Sequence, residues 1–181
     1  MRTPPVAPEL TTDTKDWTWV LSRGCPECGT DTHALPAEEI GPHLLRSADA
    51  LVAALQLPGA VVRPRPDVWS PLEYACHVRD VCRVFALRLH RMLSEDGPSF
   101  ENWDQDAAAV ADGYGGQDPL VVSRQLLAEA RTLAGAFDAV PEGSWGRPGY
   151  RSDGAAFTVL TLGRYLAHDP AHHVHDVTRS R

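Results

Sequence analysis

Four stretches of the chain repeat apolar residues at a helical period. Between Ala37 and Leu57, the residues Ile40, Leu44, Ala48, Leu51, Val52 and Leu55 recur at spacings that share one helix face. Pro42 belongs in a first turn, which places the start near Gly41, and Pro58-Gly59 stops the helix. Ser70-Pro71-Leu72-Glu73 opens a second helix. Ser70 can cap it, Pro71 takes the first position, where no amide is lost, and Glu73 can complete a capping box. Its stripe is Tyr74, Val78, Val81, Phe85, Leu89 and Met92, and it runs to about Ser94. Asp118-Pro119 opens a third helix by the same logic, which runs to about Val140 with Leu126, Leu127, Leu133 and Phe137 on its apolar face. The fourth spans about Ala155 to Thr178.

The segments between them are punctuated. Arg63 to Pro66 reads as an extended connector. A long connector follows the second helix, with a helical turn or two between Asp104 and Ala111, and Pro141 to Gly154 reads as a polar, glycine-rich loop. Met1 to Asp16 is rich in Pro and Thr with no period, which predicts an extended tail. Trp17, Trp19, Val20 and Leu21 form an aromatic patch that can pin that tail to the core. Four helices and few strands predict an all-α four-helix bundle over residues 37–181, with residues 1–36 as an N-terminal extension. The long connector leaves room for a topology other than up-and-down.

Composition narrows the partners. The 181 residues carry 17 Lys and Arg against 24 Asp and Glu, a net charge of −7. A negative chain is a poor ligand for a phosphate backbone, so nucleic acid is not an expected partner. No apolar run approaches the roughly 20 residues of a membrane helix, so no membrane is expected. No basic and apolar leader opens the chain, and the expected compartment is the reducing cytoplasm. Cys76 and Cys82 fall within the second helix and read as small core hydrophobes. Cys25-Pro-Glu-Cys28-Gly29 is different: it is a knuckle that can present two thiolates to a metal. A closed zinc site needs four ligands, and His33 and His43 are the nearest histidines that could complete it. Redox exchange and a plain turn carrying two idle thiols fit the same five residues.

The chain has eight histidines, and four of them fall in its last fourteen residues. His77 lies three residues after Tyr74 and four before Val81, so it points toward the core. His90 is about 220° further round the same helix and belongs on the surface. On the last helix, His168 and His172 are four apart and stack on one face, which His175 shares, whereas His173 is turned about 140° from His168. The spacing of His168 and His172 presents two ring nitrogens to one ion. His77 from a facing helix would complete a three-nitrogen metal site in a bundle core. Asp169 or Asp176 can orient a ligating imidazole, and Pro170 predicts a kink between the two histidines. His175 is a reserve ligand, and His173 joins His90 on the surface.

The run Trp69-Ser70-Pro71-Leu72-Glu73 with His77, followed much later by His168-Asp169-Pro170-Ala171-His172, resembles the DinB/YfiT-like family, the DNA-damage-inducible metal-binding bundles. The resemblance covers roughly residues 37–178, and the N-terminal Cys-x-x-Cys lies outside the common family core and points to an actinobacterial branch. It implies a four-helix bundle, a bound divalent metal, zinc or nickel, and His77, His168 and His172 as its ligands. It also implies a small-molecule substrate and a mycothiol-like low-molecular-weight thiol, in an S-transferase or isomerase reaction. Tyr74, Asp104 and Arg151 are the expected helpers. Two other readings fit the same site: a metal-dependent hydrolase, and a non-catalytic metal or redox sensor reporting through Cys25 and Cys28. A homodimer is compatible with such a bundle.

Overall fold

The computed structural model describes residues 16–179, so the expected tail falls almost wholly outside the described residues. Five α-helices follow in order: α1 (Ile40–Leu55), α2 (Pro71–Ser94), α3 (Gln105–Ala111), α4 (Pro119–Asp138) and α5 (Val159–Arg179). Three short strands, β1 (Ser99–Phe100), β2 (Pro148–Arg151) and β3 (Ala156–Thr158), make a small sheet with β2 in the middle. The fold is all-α in character, with α1, α2, α4 and α5 as the bundle. α3 is the short helix expected in the long connector, with the Asp104 side chain accepting from the Ala107 amide at 2.9 Å.

α2 starts where the sequence predicts. The Glu73 amide donates to Ser70 Oγ at 3.2 Å, and the Ser70 amide donates to Glu73 Oε2 at 2.8 Å, which closes the capping box. The structure adds a brace the sequence does not announce: Arg63 of the preceding connector donates to both Glu73 carboxylate oxygens. Burial alone acts to raise the Glu73 pKa, but the bonds from Arg63 and Ser70 outweigh it and hold the carboxyl below its ordinary value.

The bundle packs α1 and α2 against α4, and both also against α5, so the order round the bundle is α1, α4, α2, α5. α1 and α2, consecutive in sequence, therefore face each other across the diagonal. The core between them holds Leu44, Leu51, Leu126, Leu133, Leu162 and Leu166, all fully buried. Each contributes roughly 1.5–3 kcal/mol by leaving water. α1 and α5 approach closely at Gly163, where an added Cβ would stand 2.5 Å from Ile40 Cδ1 and 2.9 Å from Phe137 Cε1.

Two expectations are corrected. The Pro141–Gly154 loop contains β2, and the residues expected to begin the last helix form β3, so α5 starts at Val159. The hairpin turns at Asp153-Gly154, where Gly154 takes a φ of 97° and Asp153 Oδ1 accepts from the Ala155 amide at 3.2 Å. Strands this short bury only Gly149 and Phe157, too few positions to write an alternating pattern. α5 itself continues unbroken through Pro170. No helix among the described residues is long and apolar enough to cross a membrane.

Candidate functional site

α5 carries two pairs of potential ligands at the same spacing, one residue out of step: His168 with His172, and Asp169 with His173. A step of one residue turns a side chain by about 100°, so the two pairs leave the helix in different directions. The pair that meets His77 is Asp169 and His173. Asp169 Oδ1 lies 3.6 Å from His77 Nε2 and 3.8 Å from His173 Nε2. The other pair turns to the N-terminal segment, and His168 and His172 gather with Cys25 and Cys28. The expected trio of His77, His168 and His172 is thus divided between two clusters. Its physical cause is the rotation of α5, which periodicity alone does not report.

The first cluster offers three donor atoms that could hold a cation. His77 is buried between the indoles of Trp69 and Trp103, each with its ring centre 5.4 Å away. Both His77 ring nitrogens and Asp169 Oδ1 are buried without a hydrogen-bond partner. Unpartnered polar atoms of this kind are costly to bury, and an ion bonded to them removes that cost. Burial holds the His77 pKa below the ordinary imidazole value, so the ring is neutral and its lone pair is available. Burial acts to raise the Asp169 pKa, but the imidazoles of His173 and His77 outweigh it and bring it down to about 2. His173 Nδ1 donates to Asp176 Oδ2 at 3.1 Å, which leaves Nε2 facing Asp169. The two spacings from Asp169 Oδ1 are slightly wider than the roughly 3.3 Å edge of a tetrahedral zinc site with nitrogen and oxygen ligands.

One side of the cluster faces a cavity of about 610 Å³. Its wall includes Trp17, Tyr74, Arg88, Trp103, Arg151 and Tyr165. Arg151 is neutralised by Asp153, which accepts from its Nε at 2.9 Å. Arg88 has no carboxylate partner among the described residues: it donates to the Glu101 carbonyl at 3.0 Å and stacks over Phe85 and Phe100. Burial lowers its pKa to about 10, which still leaves it charged at neutral pH. Tyr74 packs on His173 with ring centres 5.0 Å apart, and burial raises its pKa, so the hydroxyl keeps its proton. The three expected helpers, Tyr74, Asp104 and Arg151, all line this cavity.

The remaining histidines sort differently from their sequence reading. His90 is exposed, as expected, whereas His173 is half-buried inside the cluster rather than on the surface. His33 pairs with Asp31, and His43 sits in α1; among the described residues neither joins the two cysteines. His175 lies beside His172, ring centres 6.3 Å apart, outside both clusters. Cys76 and Cys82 are buried in the core, where burial pushes both thiols up to about 12. Sequence reasoning missed Asp169 and His173 as partners of His77. Their signal was present as a second i, i+4 pair, overshadowed by the pair made only of histidines. It also missed Arg88, whose place in the second helix gives no hint that it faces a cavity.

The comparisons agree with this architecture. YfiT from Bacillus subtilis, a probable metal-dependent hydrolase with an unusual four-helix bundle topology, has a similar structure, with a TM-score of 0.71 at 18% identity over 80% of this chain and 85% of that one. No curated protein matches the chain in sequence. Residues 43–177, which hold all four bundle helices save the two ends and the whole His77 cluster, match the DinB superfamily, and the chain belongs to that superfamily.

Proposed function

We propose that the protein is a divalent-metal-dependent enzyme whose ion is held by His77, Asp169 and His173. The observation that carries this reading is the meeting of two imidazoles and one ionised carboxylate, with buried orphaned ligand atoms, at the wall of a cavity of about 610 Å³. A volume of that size suits a small molecule. Two imidazoles and a carboxylate are the donor set of catalytic zinc sites, and nickel accepts the same ligands. A divalent ion there supplies Lewis acidity and activates a thiol or a water molecule as nucleophile.

The chain's own groups set the rest. Arg88 offers a fixed positive charge to an anionic substrate group, Tyr74 offers a hydroxyl proton beside His173, and Trp17 and Trp103 shield the site from water. The reading we favour is transfer or isomerisation with a low-molecular-weight thiol as co-substrate. Hydrolysis at the same site is the second reading, supported by the likeness to YfiT.

Elemental analysis of the purified full chain tests the ligand assignment. His77→Ala is expected to lose one equivalent of metal while keeping the helical circular-dichroism spectrum. Full occupancy in that variant overturns the assignment. Thiol-dependent conversion of a panel of anionic electrophiles tests the reaction, with the thiol consumed in a transfer and returned in an isomerisation, and metal-dependent turnover of ester or amide substrates without any thiol would put hydrolysis in its place.

A further inference from the structure

The second cluster borders the same cavity through His168 and His172, but its four ligands make a different donor set. We propose that Cys25, Cys28, His168 and His172 form a separate, closed zinc site that fastens the N-terminal segment to α5. The four ligand atoms all lie within 4.8 Å of one another. Cys25 Sγ is 3.8 Å from His172 Nδ1, and Cys28 Sγ is 3.7 Å from His168 Nε2. A tetrahedral zinc with ordinary bond lengths sets its sulfur and nitrogen ligands roughly 3.5 Å apart, so the observed spacings need only a small contraction. Four ligands, two of them thiolates, make the closed donor set of a structural zinc site, with no position left for substrate.

The backbone is shaped for it. The Cys25 amide donates to the Thr30 carbonyl at 2.8 Å, and the Gly29 amide donates to the Cys25 carbonyl at 2.9 Å. Gly29 has a φ of 74°, which turns the chain back directly after Cys28. That turn aims both sulfurs at α5. Cys25, His168 and His172 are each less than a tenth exposed. Trp17 covers the same face, its ring centre 5.5 Å from His168 and 4.8 Å from His172. His172 Nε2 faces Glu27 and Asp176, each at 3.8 Å, which leaves Nδ1 directed at Cys25.

The consequence is positional. Trp17 walls the cavity and packs on the histidines of this site. The zinc therefore holds the cover of the first site in place. Asp176 reaches both clusters, through His172 Nε2 on one side and His173 Nδ1 on the other.

Cobalt separates the two sites by their ligands. Metal-free full-length protein titrated with Co²⁺ is expected to develop a thiolate-to-cobalt charge-transfer band that saturates at one equivalent. The band is expected to vanish in the Cys25→Ser/Cys28→Ser double variant and to persist in His77→Ala. Cobalt binding without a thiolate band, or a band that survives the double variant, overturns the proposal. Where a variant fails to fold, the wild-type chain still decides. Titration with a mercurial reagent is expected to release one zinc as Cys28, the partly exposed thiol of the four, and Cys25 beside it react. A fully reacted Cys25 and Cys28 with no zinc released overturns the site. Loss of the band with the His77 ion still bound removes this site alone. Loss of the His77 ion with the band intact removes only the catalytic reading.

Discussion

His173 and Asp169 show what a single residue of offset decides. Each is one position beyond a histidine of the other pair, and both face His77 rather than the N-terminal segment. Asp176 is the residue whose contacts join the two sets, since it accepts from His173 Nδ1 at 3.1 Å and faces His172 Nε2 at 3.8 Å. Carboxylates in this position orient ligating imidazoles, and their loss typically weakens metal affinity by about 10–100-fold. Asp176→Ala is therefore expected to weaken zinc binding by that order in a chelator competition assay, with the helical content retained. Unchanged affinity would show that neither imidazole depends on it. Arg88 makes a second test at this scale. Arg88→Met keeps an unbranched side chain over Phe85 and Phe100 but removes the charge, and a charge-assisted hydrogen bond to substrate is worth about 1.5–3 kcal/mol. The expected outcome is a KM for an anionic substrate raised about tenfold or more, with the metal content unchanged. A wild-type KM would assign the guanidinium to the fold alone.

At the scale of elements, the helix boundaries carry the clearest physics. The capping box of α2 was legible because Ser, Pro and Glu at fixed offsets satisfy specific orphan amides. Arg63 was not legible as its brace, because the contact crosses an irregular connector. The two together predict an acid response. Glu73 has a folded-state pKa below its ordinary 4.5. Its contribution to stability is therefore complete above about pH 4.5 and is lost as the pH falls through the folded-state value. Urea unfolding across that acid range is expected to show a smaller loss in Glu73→Gln than in the wild type; equal losses would place the acid sensitivity elsewhere. The crossing of α1 and α5 predicts a second outcome. Gly163→Ala drives a methyl into Ile40 and Phe137, which are fully buried and have little room to move. Overpacking of this kind costs about 1–3 kcal/mol, read as a lower urea midpoint with an unchanged slope. The small sheet was not legible for a related reason: with two to four residues per strand, its stability comes from docking on the bundle rather than from a pattern of its own.

At the scale of the whole molecule, the N-terminal segment is joined to the bundle mainly along α5. Val20 is buried, Arg164 donates to the Leu35 carbonyl at 2.9 Å, and the cysteine knuckle meets α5. Zinc removal is expected to expose this segment first, so trypsin should cut at the exposed Arg23 faster in zinc-stripped protein than in loaded protein, while the bundle helices stay protected. Equal cutting rates would show that the segment holds without metal. The sequence by itself determined the helical periods, the caps of α2 and α4, the bundle class and the stock of ligand-bearing residues, because each of these depends on neighbours within a turn or two of the chain. Only the tertiary structure decided which ligands meet. His77 reaches α5 across about ninety residues and Cys25 reaches it across about one hundred and fifty. The side that α5 turns to each is set by how it packs against α2 and the N-terminal segment, and a helical repeat carries no record of that rotation.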